Sequence, residues 1–403
     1  MFSHALAGLR VIEWGEFISA PYCAKMLGGT GAEVIKIEEP GIGDEARRYG
    51  PFPDDVPHPE RSGLFLYLNT NKLGITLNLH AATGRAILKE LLKDADVFIE
   101  NRPPRLMEEL GLDYASLSKV NRRLIATSIT PYGKTGTYRD YKGYDLNAQL
   151  LGGCGGILGS PDREPLRFPG DLGSYQAAVN AAAATMVAIL ARHKDGLGQQ
   201  VDISESEIMA TLQRGQVVIT FVFQGLKSQR LAHRGSGRMW PYGVFPCKDG
   251  YVAMVTIEEY HWPWFVKAMG SPEWATDPRW GDKFERMKRA DEIEAHLIGW
   301  LMDHTKDEIM ELAQRHRCPF VKVHNAHDLL QSPHLKARDY FVRVEHPEVG
   351  SLSYPGAPAK LSQTPWRMMQ RAPLLGEHNE PIVCGRLGYS RNDLSDLRRA
   401  GVI

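Results

Sequence analysis

The chain has 403 residues, of which 43% are hydrophobic and 24% charged, and 48 basic against 48 acidic side chains give a formal net charge of zero. A chain of this length exceeds one ordinary core, so two domains are expected. The balanced charge argues against nucleic-acid or membrane partners but leaves room for a small anionic ligand held by a local basic cluster.

The first predicted elements form a βαβ unit. A strand is predicted over residues 9–13, a helix over 20–27 that glycines end, and a second strand over 33–37. Strands joined by a helix in this way pair in parallel, so the sequence predicts an α/β fold with a parallel, Rossmann-like sheet.

The same alternation of strands and helices continues to residue 224. Further strands are predicted over 74–79, 97–100, 124–129 and 200–203. Helices are predicted over 81–93, 106–110, 114–120, 176–192 and 204–223. Residues 1–224 are therefore expected to form the N-terminal part of a large α/β domain.

A polar, glycine-containing linker at 225–240 precedes a change of pattern. A hairpin over 244–255, helices over 264–269, 290–304 and 306–315 and a strand over 320–323 predict a small α+β domain at 225–330. Residues 331–403, with a hairpin at 346–353 and a capped helix at 390–400, are expected to return to the large domain.

Bulk features suggest a reduced, cytoplasmic protein. The five cysteines are scattered without a Cys-x-x-Cys pair, and no basic segment followed by an apolar core stands at the N-terminus. The longest apolar run, 177–191, is shorter than the ~20 residues of a membrane span, so a buried helix is expected there. The 14 histidines form no metal-binding motif, so no metal is expected.

One aspartate, Asp171, stands between Gly170 and Gly173 at the predicted start of an Ala-rich helix. Glycines let a substrate approach the backbone closely, and the N–H groups and dipole of a helix start favour an ionised carboxylate. An ionised and accessible aspartate is a candidate nucleophile. The simpler interpretation is that Asp171 only caps the helix, and this segment alone favours the cap.

Other motifs give weaker hypotheses. The turn at 14–19 lacks Gly-x-Gly-x-x-Gly and contains Glu16, which argues against a dinucleotide site. The segment 133–135 resembles the end of a P-loop, but Ser128 stands where the first glycine belongs. Cys154 is expected to be a small buried thiol.

Four basic residues stand out: Lys72, Arg102, Arg105 and Lys142. Each fits a solvated surface charge when considered alone. Arg102 and Arg105 follow the predicted strand 97–100, and ligands of parallel sheets bind beyond the carboxyl ends of strands. Binding of an anionic ligand at that edge is therefore about as compatible with the sequence as a solvated surface charge is.

Several segments, taken in order, resemble the class III CoA-transferases. That family includes formyl-CoA:oxalate and carnitine CoA-transferases and, as a related branch, α-methylacyl-CoA racemase. The resemblance runs nearly end to end, and its order and spacing make it specific. It is carried by residues 6–11, 31–40, 68–72, 98–101, 144–145, 170–171 and 372–378.

The resemblance implies a fold, an activity and partners. It implies a large discontinuous α/β domain with a smaller α+β domain, assembled as an interlocked homodimer. It also implies transfer of CoA, as substrate and product, from an acyl-CoA donor to a small carboxylic acid. No metal, nucleic acid or membrane partner is expected.

The resemblance also implies site residues. Asp171 falls on the family's catalytic aspartate. Glu39 and Glu109 stand where the oxalate enzyme has arginines, so Arg102 and Arg105 are considered as substitutes for holding the CoA phosphates. Including these two, CoA contacts are expected at Ile18, Ser19, Asn69, Lys72, Asn101, Arg102, Arg105, Lys142, Tyr144 and Asp145.

The expected mechanism passes through an aspartyl-acyl anhydride and an aspartyl-CoA thioester on Asp171. The racemase branch has a histidine where this chain has Tyr144, and a phenol is a poor proton acceptor at neutral pH. Transfer is therefore favoured over racemisation. An acyl-CoA racemase and a non-catalytic CoA-binding protein remain the alternatives, and the donor and acceptor acids are left open.

Overall fold

The computed structural model describes residues 4–212, 218–234, 239–357 and 359–403. The chain forms two compact units. The first contains the described residues of Met1–Gly153, Phe168–Arg214 and Lys336–Ile403, and the second those of Cys154–Arg167 and Gly215–Leu335. The predicted division at 225 and 331 placed residues 154–167 with the large domain, and it stays a prediction.

The helices of the described residues, in chain order, are α1 (Ser19–Gly29), α2 (Gly63–Leu68), α3 (Ala82–Leu92), α4 (Pro104–Glu109), α5 (Tyr114–Leu117), α6 (Asp145–Leu151), α7 (Leu172–Asp195), α8 (Glu205–Leu212), α9 (Thr220–Gln224), α10 (His261–Ala268), α11 (Lys283–Lys288), α12 (Ala290–Asp303), α13 (Lys306–Arg315), α14 (Ala326–Gln331), α15 (Pro333–Ala337) and α16 (Arg391–Arg399). A π-helical segment at Glu380–Arg386 precedes α16.

A six-stranded parallel sheet forms the centre of the first unit, which confirms the predicted α/β class. Its strands are β1 (Arg10–Trp14), β2 (Glu33–Glu38), β3 (Lys72–Thr76), β4 (Val97–Glu100), β5 (Ile125–Thr130) and β6 (Gln200–Ser204). Their spatial order is β3-β2-β1-β4-β5-β6. The order reverses between β1 and β4, and ligands of such sheets bind beyond the carboxyl ends of the strands at that point.

Alternating side chains place apolar residues on both faces of the sheet. Ile12 and Phe98 belong to a buried cluster that includes residues of α3 and α16. The neighbouring Val11 and Val97 belong to a second cluster that includes residues of α1 and α7. The sheet is therefore buried on both faces, as parallel sheets require.

The C-terminal segment returns to the first unit. Its hairpin, β10 (Phe341–His346) with β11 (Gly350–Pro355), is antiparallel. The segment is then fastened to β3, because His378 N–H donates to the carbonyl of Gly74 at 2.9 Å.

The second unit contains a small antiparallel sheet. Its strands are β7 (Tyr242–Cys247), β8 (Gly250–Val255) and β9 (Val321–Lys322), in that spatial order. Aromatic residues such as Trp240, Phe245 and Phe265 fill its core together with residues of α12 and α13. A smaller α+β unit is thus confirmed.

Several predicted elements differ from the structure in their bounds. β3 begins at Lys72 rather than 74, and the buried Leu77 and Leu79 that prolong the alternation lie beyond the paired residues. The predicted helix 204–223 starts one residue later, and its described parts include α8 and α9. Residues 213–217 and part of the predicted linker 225–240 lie outside the described residues.

The Ala-rich helix α7 has 24 residues and is longer than the predicted 176–192. Among the described residues it is the helix that meets, by length and composition only, the criterion for a membrane span, with a mean hydropathy of 1.3. This is weak evidence, because core helices also meet that criterion, and 44% of the window is buried.

Candidate functional site

Asp171 lies at a strained corner of the backbone at the start of α7. Its φ of 57° and ψ of 39° are left-handed, and the preceding Gly170 also has a positive φ of 68°. A non-glycine residue pays about 1–2 kcal/mol for this conformation. The side chain is half-exposed, and this combination of strain and accessibility is typical of functional positions.

The cap of α7 comes from Asp145, the first residue of α6. Asp145 Oδ1 accepts the N–H of Ser174 at 3.0 Å, and that N–H is one of the donors that a helix start leaves without an intrahelical partner. Within α7, Asp171 makes no side-chain capping hydrogen bond. The interpretation of Asp171 as a simple cap is therefore wrong, because another carboxylate fills that role.

Gln149, one turn after Asp145 on α6, holds this carboxylate in place. Its Nε2 donates to Asp145 Oδ2 at 2.5 Å. The same amide also bonds the backbone of Phe168 in both directions, at 2.8 Å and 3.2 Å. The chain leading to Asp171 is thus fixed to α6, and both oxygens of Asp145 are engaged.

Gly173 is required by the close approach of α6 and α7. A Cβ built on Gly173 lies 2.7 Å from Asp145 Oδ1 and 3.2 Å from Gln149 Cγ. Real Cβ atoms do not approach an oxygen this closely, so a side chain at this position displaces the Asp145 carboxylate.

The turn after β1 forms the second side of the site. Asn101 follows β4, the neighbour of β1, and its side chain accepts Glu16 N–H at 2.9 Å and donates to Glu16 O at 2.8 Å. Asn101 Nδ2 also donates to Ser19 Oγ at 3.1 Å. The structure therefore brings Ser19 and Asn101 together at the point where the strand order reverses. Ile18 precedes Ser19 in the chain, and both side chains are buried, at 2% and 5% exposed.

Glu205, the first residue of α8, lies beside the start of α7. Its Oε2 accepts the Ser174 hydroxyl at 3.3 Å, and Ser19 lies near enough to its carboxyl group to lower the pKa. Glu205 is only 5% exposed. Burial, with smaller contributions from the charges of Asp145 and Asp171, raises the pKa of Glu205 to about 7.

Arg102 lies beside the turn after β1 and is already paired. Its Nη1 contacts Glu16 Oε2 at 2.8 Å, and its guanidinium carbon lies 4.6 Å from the centre of the Trp14 ring. Arg105 instead pairs with Glu109 at 2.9 Å on the solvent-exposed side of α4. Glu109 therefore neutralises a neighbouring cation in this structure.

Tyr144 and Lys142 are exposed where the chain enters α6. Tyr144 is 75% exposed, and its N–H donates to Asn147 Oδ1 at 3.0 Å. Lys142 is exposed two residues earlier. Both therefore lie next to Asp145 in the chain and are open to a ligand.

Lys72 and Asn69 lie inside the protein. Lys72 is 1% exposed, pairs with Glu13 Oε2 at 2.7 Å, and donates to Asn69 Oδ1 and Pro21 O at 2.8 Å each. Burial lowers the pKa of Lys72 to about 8. The structure therefore places the polar atoms of these two predicted CoA contacts beneath α1, and Lys72 also lines a cavity of about 320 Å³ with residues such as Met369 and His378.

Three residues near the site were not predicted from the sequence: Glu205, Ser174 and Gln149. The available signal was the position of Glu205 directly after a predicted strand, since the carboxyl ends of parallel strands share one edge. Among the described residues, no group of three or more His, Cys, Asp or Glu side chains is arranged to hold a metal ion. Cys154 is buried, and none of the five cysteines forms a disulfide.

The chain is also similar to known proteins along nearly its whole length. A family model described as CoA-transferase family III matches residues 6–379. The chain is 31% identical over 399 residues to a succinyl-CoA–D-citramalate CoA-transferase of Chloroflexus aurantiacus, which covers 99% of this chain and 98% of the relative. It is 30% identical over 428 residues to a formyl-CoA:oxalate CoA-transferase of Bradyrhizobium diazoefficiens, covering 99% and 97%.

A solved structure has the same fold. The crystal structure of a CAIB/BAIF family protein from Brucella suis superposes with a TM-score of 0.84 at 27% identity, and covers 95% of this chain and 99% of that chain.

Proposed function

This chain belongs to CoA-transferase family III and is an enzyme of that family, and on that premise we propose that it transfers CoA through covalent intermediates on Asp171. The main support for the proposal is that Asp145, and not Asp171, caps the start of α7. Asp145 caps the helix, and Asp171 therefore presents a half-exposed carboxylate that the helix does not need.

The proposed reaction has four steps. The Asp171 carboxylate attacks the donor thioester carbonyl, which gives an aspartyl-acyl anhydride and CoA thiolate. The thiolate attacks the aspartyl carbonyl of the anhydride, which gives an aspartyl-CoA thioester and frees the donor acid. The acceptor carboxylate attacks this thioester and expels the thiolate. The thiolate then attacks the acceptor's acyl carbonyl, which gives acceptor-CoA and restores Asp171.

The start of α7 can stabilise the negative charge that develops on the carbonyl oxygen in these steps. The first N–H groups of a helix have no intrahelical acceptor, and the dipole is positive there. Ser174 N–H is taken by Asp145, so we assign the N–H groups of Leu172 and Gly173 to the oxyanion. A donor of this kind stabilises the transition state by about 3–4 kcal/mol.

For CoA we propose the edge at Asn101, with Arg102, Lys142 and Tyr144 as neighbouring contacts and with the backbone at Ile18 and Ser19, whose side chains are buried. Their support is that the edge lies where the strand order reverses. We also propose a contact between Arg105 and CoA, which requires Arg105 to leave its ion pair with Glu109. Asp145, Asn69 and Lys72 support the site from below in our assignment, because their polar atoms are engaged within the protein.

The named relatives guide the choice of substrates. One relative is named for succinyl-CoA and D-citramalate and another for formyl-CoA and oxalate. We propose succinyl-CoA as the first donor to test, with a panel of hydroxy and dicarboxylic acids as acceptors.

We further propose a cytoplasmic homodimer. The support for a dimer is the row of exposed apolar side chains on α7, including Val187 and Leu190, which are 67% and 65% exposed. Light scattering that gives the mass of one chain contradicts the dimer.

The deciding experiment traps the intermediate. The enzyme is incubated with succinyl-CoA and hydroxylamine, and mass spectrometry locates a hydroxamate. We expect it on Asp171, and we expect Asp171→Ala to lose transferase activity. The control is Asp195→Ala, at the exposed far end of the same helix, which keeps activity.

Two outcomes contradict the proposal. One is transferase activity in Asp171→Ala at the wild-type level. The other is solvent deuterium entering the α-carbon of a branched acyl-CoA without an acceptor acid, which assigns a racemase.

A further inference from the structure

The turn between β1 and α1 contains a residue in a strained conformation, Phe17. Its φ of 62° lies in the left-handed region, which a non-glycine residue adopts only where its surroundings hold it. Ile18 and Ser19, whose backbone we assign to the CoA edge, follow directly in the chain. The conformation of Phe17 therefore determines how the chain presents that backbone to a ligand.

Side chains from neighbouring strands hold the first part of this turn. Lys36 Nζ, on β2, donates to the carbonyl of Gly15 at 3.0 Å. The side chain of Asn101, which follows β4, bonds both the N–H and the carbonyl of Glu16, at 2.9 Å and 2.8 Å. The turn also packs closely on α1, since a Cβ built on Gly15 lies 2.4 Å from Ala20 Cβ. Little room is left for another path of the chain.

Asp44 binds the strained residue itself. It lies beyond the end of β2 and is 1% exposed. Its Oδ1 accepts the N–H of Phe17 at 2.9 Å and the N–H of Ala46 at 2.7 Å. Its Oδ2 pairs with Lys36 Nζ at 2.7 Å, and both of these side chains are fully buried. The carboxylate that accepts the N–H of Phe17 is therefore itself fixed in place.

The hydrogen bond from Phe17 to Asp44 can offset the strain of the turn. A hydrogen bond to an ionised acceptor is stronger than one between neutral groups, and burial keeps water from competing for it. Asp44 is too deeply buried to touch a ligand in the open site. Any influence on binding must therefore pass through the backbone of the turn.

We propose that Asp44 is a positioning residue that holds the turn after β1 in its CoA-binding conformation before CoA arrives. The proposal rests on the CoA edge proposed above. A turn that is already ordered spares the cost of ordering it on binding. The effect therefore belongs to the affinity for CoA and its thioesters, and the maximal rate at saturating acyl-CoA should change less than the KM.

Two variants separate the hydrogen bond from the ion pair. In Asp44→Asn the amide oxygen can keep both backbone N–H donors, but the charge opposite Lys36 is lost. Asp44→Ala loses both interactions. We expect Asp44→Ala to raise the dissociation constant of CoA and the KM for succinyl-CoA by roughly tenfold to a hundredfold, and Asp44→Asn to stay within about threefold of wild type. Isothermal titration with CoA and steady-state kinetics measure these quantities.

The matched control is Asp96→Ala, at the opposite end of β1. Asp96 Oδ2 accepts the N–H of Arg10 at 2.9 Å, and its Oδ1 pairs with Arg192 at 2.8 Å. This variant also removes a backbone acceptor and an ion pair, and it should bind CoA as wild type does. Three results each overturn the proposal: wild-type CoA binding in Asp44→Ala, an equal loss in Asp44→Asn, or an equal loss in Asp96→Ala.

Hydrogen exchange of the wild-type enzyme gives an independent measurement if Asp44→Ala folds poorly. Fragment mass spectrometry should find the N–H of Phe17 protected without CoA and little changed when CoA is added. An N–H that is protected only with CoA contradicts the proposal. Activity in Asp171→Ala would instead refute the reaction, whereas an inactive Asp171→Ala with wild-type CoA binding in Asp44→Ala refutes only the role of Asp44.

Discussion

Asp145 Oδ1 accepts the N–H of Ser174 at 3.0 Å, across 29 residues of sequence. The capping function therefore lies on α6 and not on Asp171, the residue at the helix start. The proposed nucleophile and the residue that caps the helix are thus two different side chains.

Asp145→Ala should weaken both the helix start and the reaction. Loss of a cap costs about 1 kcal/mol, and the N–H of Ser174, three residues after Asp171, loses its acceptor. We expect the rate of aspartyl-intermediate formation to fall by roughly tenfold to a hundredfold, because a reacting group displaced by about 1 Å loses that much. Rapid-quench mass spectrometry measures the rate.

The matched control is Asp113→Ala. Asp113 caps α5 through Ser116 N–H at 3.1 Å, so its removal should cost similar stability but leave the rate unchanged. Equal rates in the two variants would show that the Asp145 cap has no bearing on Asp171.

Gly173→Ala should separate stability from activity. Alanine favours a helix over glycine by about 1 kcal/mol, but its Cβ would lie 2.7 Å from Asp145 Oδ1 and push the cap away. These effects nearly cancel, so we expect a free energy of unfolding within about 1 kcal/mol of wild type and a slower reaction. Urea unfolding and steady-state kinetics measure the two quantities.

Gly299→Ala is the comparison for that variant. Gly299 lies inside α12, and a Cβ there meets nothing within 4 Å. It should stabilise by up to about 1 kcal/mol and leave activity unchanged. A Gly173→Ala enzyme with wild-type activity argues against the close packing of α6 on α7.

Lys72→Met and Lys142→Met should have opposite consequences. Removal of Lys72 leaves buried Glu13 without one of its cations, and a broken buried pair costs about 3–5 kcal/mol. Lys142 is exposed, so its loss should change stability by less than about 0.5 kcal/mol but weaken CoA binding. Isothermal titration with CoA and urea unfolding measure both variants. Weaker CoA binding by a fully folded Lys72→Met would place Lys72 at the ligand.

The central sheet could be predicted because its signals are local. β1, β2 and β4 are short apolar runs bounded by glycine or acidic residues, and the structure has them within one residue of their predicted ends. α2 and the π-helical segment Glu380–Arg386 were not predicted, since neither has a long amphipathic pattern and both are held by tertiary contacts.

The candidate site could be predicted only in part. Asp171 and the turn at Ser19 carry local signals, namely flanking glycines and a position after a strand. The engagement of Asp145 and the burial of Lys72 depend on contacts between distant segments, which the sequence pattern does not contain. An apolar–polar pattern also gives no sign that Glu205 is buried, because most glutamates at a helix start are exposed.

Glu205 should make stability depend on pH in the direction opposite to most acidic residues. Its pKa is raised from 4.5 to about 7 by burial and by Asp145, so between these values the folded protein binds more protons than the unfolded chain. The free energy of unfolding therefore falls as pH rises from 4.5 to 7, and the loss is complete above 7. Glu205→Gln removes this cost and should be more stable than wild type at pH 8, by up to about 3 kcal/mol, with a smaller difference at pH 5. Urea unfolding at both pH values, with the exposed Glu207→Gln as control, measures it. A Glu205→Gln variant that is less stable than wild type at pH 8 would show that the ionised carboxylate is held favourably and that the like charges of Asp145 and Asp171 do not dominate at this position.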